Sequence, residues 1–280
     1  MVHARYERHW ATRRVRWFRL AAFLLGGSSL GSAPAAAQIA VDQAEIFLEP
    51  RTAGRGVASI NVSNEGDTVI EASVYVSDWE RRDDGEHRFY QSGTLRQSCG
   101  GVLRVFPLSL RLTPHAAQAV RIALEGADTL SAACWSVVFV ESGGAPQRGG
   151  RQVSYVTRVG VKVYGIPPGL ARDGVVDSLL LRKRVRVPGR TPADTGRELA
   201  LAFRNSGGMP LWVHGKVEFR RLNNAVAATA DVPEFPVLPG ALRRVAVALP
   251  ALARGRYVAL ALLDYGGSDI AGAQVVVEVP

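Results

Sequence analysis

The stretch RQVSYVTRVGVKVYGIP, residues 151–167, alternates between two kinds of side chain over about a dozen positions. One set is apolar or small and occupies every second position: Val153, Tyr155, Thr157, Val159, Val161 and Val163. The other set is more polar and includes Gln152, Ser154, Arg158 and Lys162. A period of two predicts a β-strand, and this one exceeds the usual length of about five or six residues. An ordinary core strand would bury the whole apolar row, whereas a row that overhangs its own sheet needs another partner to cover it.

The residues before this strand show the same period of two and little helical periodicity. Predicted strands cover residues 39–50, 56–66, 69–80, 101–114, 117–126 and 133–142. The segment RDDGEH (82–87) predicts a hairpin turn because it has Asp-Gly at its centre, and GGAPQRGG (143–150) predicts a flexible loop. About seven strands within about 125 residues are typical of an immunoglobulin-like β-sandwich.

The segment GIPPGLARDGV (165–175) interrupts the pattern with prolines and glycines, and it predicts a domain boundary. Further strands are predicted at 177–187, 197–208, 211–222, 242–250, 255–267 and 271–279. VSNEG in the first half and FRNSGG in the second end a strand at similar points, which suggests that the halves are related. The fold class is therefore predicted as all-β, with two immunoglobulin-like domains at 38–166 and 167–280 joined by a short elbow.

Residues 1–37 have the layout of a cleaved secretory signal peptide: six arginines, a short apolar run and small residues before the cleavage site. The alternative, a membrane anchor, is disfavoured because the run is shorter than the roughly 20 residues that span a bilayer. Removal of this segment lowers the net charge from +9 to +4. A charge of that size, without a nucleic-acid-binding motif, does not indicate a nucleic-acid partner. No later segment predicts membrane insertion, so the mature protein is expected to be exported and soluble.

The chain has two cysteines, Cys99 and Cys134. In an exported protein an isolated pair favours a disulfide over a metal site, because two thiolates without nearby histidines do not complete a zinc shell. The alternative is two unrelated buried thiols. We predict no metal, cofactor or catalytic site, since His87, His115 and His214 are widely spaced and no catalytic motif is present. The protein is therefore not expected to be an enzyme.

The blocks around the long strand resemble the periplasmic chaperones of the chaperone–usher pilus pathway, particularly their archaic-type or divergent members. The resemblance lies in INVSNEG (60–66), VYVSDWERRDDGEHRF (74–89), VFPLSLRLTPHAAQAVRI (105–122), CWSVVFVES (134–142) and VSYVTRVGVKVYGIP (153–167). The second domain is similar in outline only. The resemblance implies that the last strand of the first domain completes the unfinished sandwich of a pilin-like or coat-like subunit by β-strand addition.

The resemblance also implies which residues bind the subunit. The donor row is Val153, Tyr155 and Thr157, with Val159 extending it, and Lys162 corresponds to the lysine that holds the subunit's terminal carboxylate. The arginine that completes this anchor in the family is replaced here by Glu45, which would repel a carboxylate. Either Arg158 rebuilds the anchor, or strand pairing alone holds the client, or the client differs.

The sequence thus predicts an ATP-independent periplasmic chaperone that stabilises pilus or surface-fibre subunits for delivery to an outer-membrane usher. The alternative is a structural or adhesive two-domain surface protein without chaperone activity, which would use its strands as a scaffold and its loops for contact.

Overall fold

The protein is described by a computed structural model covering residues 39–50, 56–126, 130–144, 147–148, 151–152, 155–183 and 196–279. The predicted signal peptide lies outside these residues. Within the described ranges all regular structure is β-strand, as the sequence predicts. No helix there is long and apolar enough to cross a membrane.

The first half forms two sheets. Its strands are β1 (Ile39–Val41), β2 (Glu45–Leu48), β3 (Val57–Asn64), β4 (Ile70–Arg81), β5 (His87–Gln91), β6 (Leu103–Phe106), β7 (Ser109–Leu112), β8 (Ala117–Leu124), β9 (Cys134–Gly144), β10 (Gln147–Arg148), β11 (Arg151–Gln152) and β12 (Tyr155–Gly165). One sheet has the order β1-β3-β8-β6. The other has the order β2-β12-β9-β4-β5, with β7 also paired to β4. The two-residue strands β10 and β11 pair with each other.

The apolar faces of these two sheets enclose one core. Alternate residues of most of these strands point into it, among them Val161 and Val163 of β12, which are completely buried. Two of the crossings between the sheets interrupt a predicted strand. Residues 42–44 separate β1 from β2, and residues 107–108, which follow β6 through a cis Phe106–Pro107 peptide bond, separate β6 from β7. The predicted strand 39–50 is therefore two short strands in opposite sheets.

The disulfide predicted from the sequence is present: Cys99 and Cys134 are bridged and buried in the core. Cys134 pairs across the sheet with Gly165, the last residue of β12. A Cβ atom at Gly165 would lie 2.8 Å from the Cys134 sulfur. The end of the long strand thus requires glycine because the bridge occupies the adjacent space.

The second half forms another pair of sheets around a separate core. Its strands are β13 (Gly174–Lys183), β14 (Arg197–Asn205), β15 (Leu211–Arg220), β16 (Val226–Val237), β17 (Leu242–Ala248), β18 (Gly255–Asp264) and β19 (Ala271–Val279). The sheet orders are β13-β14-β17 and β16-β15-β18-β19. The fold class predicted from the sequence, two β-sandwiches, is confirmed. The exact domain boundary at residues 166 and 167 stays a prediction; it falls between β12 and β13.

Asn64 and Asn205 make the same contacts in the two sandwiches. Each is almost fully buried and is the last residue of the equivalent strand, and its side-chain amide donates to main-chain carbonyl oxygens, three for Asn64 and two for Asn205. Each side-chain oxygen accepts the N–H of the glycine two residues later, Gly66 or Gly207. The relation suggested by VSNEG and FRNSGG therefore has a physical basis, because both asparagines close the same kind of turn.

Two further features differ from the sequence prediction. The segment 143–150 is not wholly a loop, because Gly143 and Gly144 end β9 and Gln147–Arg148 forms β10. Strand β16 was not predicted, since its apolar alternation is weak and it contains Pro233 and Pro236. It lies at the edge of its sheet, where proline is tolerated because one side of the strand needs no ladder hydrogen bonds.

The two sandwiches meet in an apolar contact. Leu238 of the second sandwich packs with Trp79, Trp135 and Tyr164 of the first, and all four are buried. Polar contacts adjoin it: Arg244 forms an ion pair with Asp83 in the β4–β5 turn and also donates its N–H to the main-chain oxygen of Asp83. The β4–β5 hairpin and the end of β12 therefore border the region between the sandwiches.

Candidate functional site

Strand β12 has one paired and one largely open edge. On one side it pairs with β9 along its whole length, from Tyr155 opposite Gly144 to Gly165 opposite Cys134. On the other side it pairs with β2 only from Lys162 onward. No described residue pairs with that second edge between residues 155 and 161. This is the geometry that accepts an added strand.

The direction of the main-chain groups identifies which residues would bind such a strand. The N–H of Lys162 donates to the oxygen of Ala44, on the side away from β9, at 2.9 Å. Because main-chain groups alternate along a strand, those of Val156, Arg158 and Gly160 also point away from β9. These three residues therefore present N–H and C=O groups at the open edge that no described residue binds.

The apolar row of β12 becomes less buried towards the start of the strand. Val161 and Val163 are in the core, Val159 packs against it while remaining partly exposed, and Thr157 is half-buried. Tyr155 begins β12, and its side chain lies outside the described residues. Val153, the first predicted donor, lies outside them altogether. Val156, on the other face, is 64% exposed.

Lys162 is already paired within the protein. Its Nζ lies 3.0 Å from Glu45 Oε1, because the parallel register of β12 and β2 places the two residues side by side. Its ammonium also lies 5.3 Å from the centroid of the Trp79 ring. Glu45 stands where the family pattern has an arginine, and its carboxylate thus neutralises the charge of Lys162, the predicted anchor lysine.

Arg158, the alternative anchor, lies on the same face of β12 but away from this pair. Four residues of strand place its Cα about 13 Å from that of Lys162. Its guanidinium stacks over Phe139, 4.6 Å from the ring centroid, and near Phe89 at 6.0 Å. The structure therefore does not bring Arg158 and Lys162 together.

Sequence reasoning missed Arg81 and His87, which face each other across the β4–β5 hairpin next to Lys162. Arg81 Cζ lies 5.9 Å from the centroid of Trp79, and the His87 ring packs against the same indole at 5.4 Å. The sequence did contain a pattern that could have identified Arg81. Tyr75 and Trp79 lie on one face of β4, and the strand period of two places Arg81 on that face as well.

Neither Arg81 nor His87 has a polar partner in the part of the chain that the structure describes. Arg81 Nε and His87 Nε2 are buried without a hydrogen bond. Burial lowers the pKa of Arg81, opposed by Tyr164 and Glu45. Burial, together with the positive charges of Arg81 and Lys162, lowers the pKa of His87 to about 4, opposed by Glu45. His87 is therefore neutral at pH 7.

The lowered pKa of His87 predicts a loss of stability in acid. Between pH 6.5 and about 4 the unfolded chain binds a proton at His87 and the folded chain does not, so the free energy of unfolding falls as the pH falls. His87→Gln should remove this contribution, and urea unfolding from pH 4 to 7 measures it. His214→Gln, at an exposed histidine of the second sandwich, is the control and should keep the wild-type slope. Equal slopes for His87→Gln and the wild type would contradict the prediction.

No family model matches the sequence, and no curated protein matches it. Among the solved structures that match is the class 5 fimbriae chaperone CfaA: 12% identity over 86% of this chain and 99% of that chain, TM-score 0.49. A chain of the chaperone–tip adhesin complex of CFA/I fimbriae biogenesis matches with 12% identity over 87% of this chain and 100% of that chain, and its TM-score is 0.48. A chain of the Salmonella enterica SafA pilin–SafB chaperone complex matches with 13% identity over 88% of this chain and 99% of that chain, and its TM-score is 0.43. These structures are of the class that the sequence blocks resemble. The assignment of two sandwiches rests on this chain's own strand pairings.

Proposed function

We propose that the protein is a chaperone that binds an incomplete β-sandwich subunit along the open edge of β12. The observation that carries this proposal is the edge itself. Residues 155–161 pair with β9 on one side and with no described strand on the other. An edge strand of this length invites uncontrolled pairing unless it is blocked or used, and this one has an exposed Val156 beside it.

The bound subunit would be a secreted pilin-like or coat-like protein that lacks one strand. Val153, Tyr155 and Thr157 would enter its groove, with Val159 shared between the groove and this protein's own core. Insertion of two large side chains contributes on the order of 3 to 6 kcal/mol before the ordering costs are subtracted. Main-chain hydrogen bonds along the edge add to this, so the proposed function needs neither ATP nor a catalytic group.

The proposed place of action is the periplasm, followed by delivery of the subunit to an outer-membrane usher. The Cys99–Cys134 bridge supports a compartment outside the cytosol, since disulfides persist in oxidising environments. The layout of residues 1–37 supports export.

The test is co-expression with small secreted subunits encoded beside this protein, followed by co-purification and mass spectrometry. A subunit with an incomplete sandwich should co-purify with the wild type, and Val153→Asp or Tyr155→Asp should abolish this because a carboxylate cannot be buried in an apolar groove. Val175→Asp, on an exposed residue of β13, is the matched control and should retain the subunit. Undiminished co-purification with both donor variants would refute the proposal, as would a wild type that retains none of these subunits.

A further inference from the structure

The outer face of the four-stranded sheet in the second sandwich is apolar at one end. The strand registers align one row of residues across β16, β15, β18 and β19: Val226, Arg220, Val258 and Val276. Residues directly opposite each other in antiparallel strands share a face of the sheet. Phe219 is completely buried in the core, so its neighbour Arg220 and the rest of the row point outward. Three valines and one arginine therefore form a row on the surface.

The valines of this row are incompletely covered. Val226 and Val276 are each 51% exposed, and Val258 is half-buried. Leu222, in the turn between β15 and β16, is 74% exposed. We call these four residues the apolar tip. A single exposed aliphatic side chain is ordinary, whereas a group of them at the end of one sheet is a candidate contact surface.

Four arginines lie on or beside the apolar tip: Arg220, Arg221, Arg254 and Arg256. Arg220 is part of the row, and Arg221 begins the turn that contains Leu222. Arg256 is two residues before Val258 in β18 and therefore on the same face, and Arg254 comes just before that strand. Arg221, Arg254 and Arg256 are exposed. The surface is therefore aliphatic at its centre and cationic around it.

The carboxylates near the apolar tip leave an excess of positive charge. Glu218 is buried between two cations, with Lys216 Nζ at 2.8 Å and Arg220 Nη2 at 2.6 Å from its oxygens. Glu278 is exposed and lies 3.6 Å from Arg256. Arg221 and Arg254 form no ion pair with any residue in the described ranges. Two carboxylates thus face four arginines and Lys216, which favours an anionic partner.

We propose that the apolar tip is a peripheral docking surface for a membrane of anionic phospholipids. Its aliphatic side chains would enter the boundary between headgroups and acyl chains, and the arginines would bind the headgroup phosphates. Each cation at such a surface strengthens binding about fivefold. Each CH₂ group that enters the apolar layer strengthens it about fourfold. This inference goes beyond the proposed function and does not depend on a bound subunit.

The chemistry of the apolar tip favours a lipid surface over a protein partner. Protein interfaces centre on aromatic anchors that fill pockets, whereas the apolar tip is wholly aliphatic and its most exposed member, Leu222, lies in an exposed turn. A second copy of this chain would bring the arginines of two tips together, and like charges oppose such a contact. An anionic bilayer offers both an apolar layer and phosphates to the same surface.

The apolar tip lies at the end of the second sandwich that is remote from the first. Trp212, near the start of β15, packs against Phe47 and Tyr164 of the first sandwich. Arg220 is eight residues further along the same strand, which places it about 27 Å away. Docking through the tip would therefore leave the open edge of β12 uncovered.

The test is flotation of the mature protein with vesicles of phosphatidylcholine alone and with vesicles that also contain phosphatidylglycerol. The wild type should bind the anionic vesicles and not the neutral ones. The Leu222→Ser/Val226→Ser variant should bind about tenfold more weakly or worse, because apolar contact is lost. The Arg221→Gln/Arg254→Gln variant should bind about 20-fold more weakly, because two cations are lost.

Two matched controls should bind the anionic vesicles as the wild type does. Ile270→Ser replaces a side chain that is as exposed as those of the tip but lies in the β18–β19 turn, at the other end of the same sandwich. Arg111→Gln removes an exposed arginine of the first sandwich, where it pairs with Glu71. Circular dichroism checks that every variant is folded.

Several results would overturn the inference. A wild type that binds neither kind of vesicle would do so, as would equal binding to the neutral and anionic vesicles. Undiminished binding by either double variant would place the contact elsewhere on the protein. Heparin, a polyanion without an apolar layer, serves as a further probe, and a wild type that binds heparin but no vesicle would have a general anion site instead. None of these outcomes depends on subunit capture, so the proposed function is tested separately.

Discussion

Arg158→Pro is expected to weaken binding of a subunit by about 100-fold or more while the protein remains folded. The N–H of Arg158 points to the open edge of β12, so its loss removes no hydrogen bond to β9. A bound strand would lose the donor and face the pyrrolidine ring, leaving its own carbonyl oxygen without a partner. An unsatisfied buried group costs about 1 to 3 kcal/mol, and the steric block adds to this.

Two further variants distinguish a blocked edge from two other causes of weak binding, loss of the Arg158 charge and loss of the fold. Arg158→Gln keeps the main chain and removes the charge, so it should bind nearly normally unless Arg158 is the carboxylate anchor. Val159→Pro removes an N–H that points to β9 and should destabilise the fold itself. Thermal unfolding checks folding, and co-purification with quantitative titration measures binding. Full binding by Arg158→Pro would mean that the open edge is not where the subunit pairs.

The alternation of β12 predicted both its length and its core face, because a period of two in one strand is a local property. The sequence could not predict where that strand stops being paired. That depends on β2 being only four residues long and joining at Lys162, a feature set by tertiary packing. The open edge, on which the proposed function depends, therefore became visible only in the structure.

The contacts of the candidate site could not be predicted from the sequence either. Glu45 and Lys162 are both evident in the sequence, but their direct ion pair follows from a parallel register between distant strands. Arg81 appears in a charged hairpin turn, where a solvated side chain is the ordinary expectation. Its burial beside Trp79 depends on the packing of the hairpin and the second sandwich around that ring. Local periodicity carries no information about such contacts.

Strand β16 was missed for a related reason. Two prolines argue against a strand in the middle of a sheet, and that argument is correct for a central strand. The segment is instead an edge strand, with β15 on one side only, and the position of a strand within its sheet is not a local property. The similarity of VSNEG and FRNSGG was visible in the sequence because each turn forms within a few residues. The burial of Asn64 and Asn205 was not, because their amides also donate to residues 48 and 32 positions away.

Removal of the disulfide is expected to have the largest effect on stability. Cys99 and Cys134 are 35 residues apart, and closing a loop of this length contributes about 4 kcal/mol through the entropy of the unfolded chain. The Cys99→Ala/Cys134→Ala double variant should therefore unfold at a markedly lower urea concentration than the oxidised wild type. Dithiothreitol should lower the wild type towards the same midpoint and leave the variant unchanged, which is the control.

The rest of the fold should survive because other bonds hold the same segment. Asp78 is fully buried and accepts the N–H of Leu95 at 2.8 Å, and the Cys99 N–H donates to Ser136 Oγ at 3.1 Å. The bridge lies beside Gly165, at the C-terminal end of β12, whereas the open edge lies at residues 155–161. The folded double variant should therefore still bind a subunit. An unchanged urea midpoint would show that these hydrogen bonds alone fix the segment. Loss of binding by the folded variant would instead mean that the bridge positions the open edge from the far end of the strand.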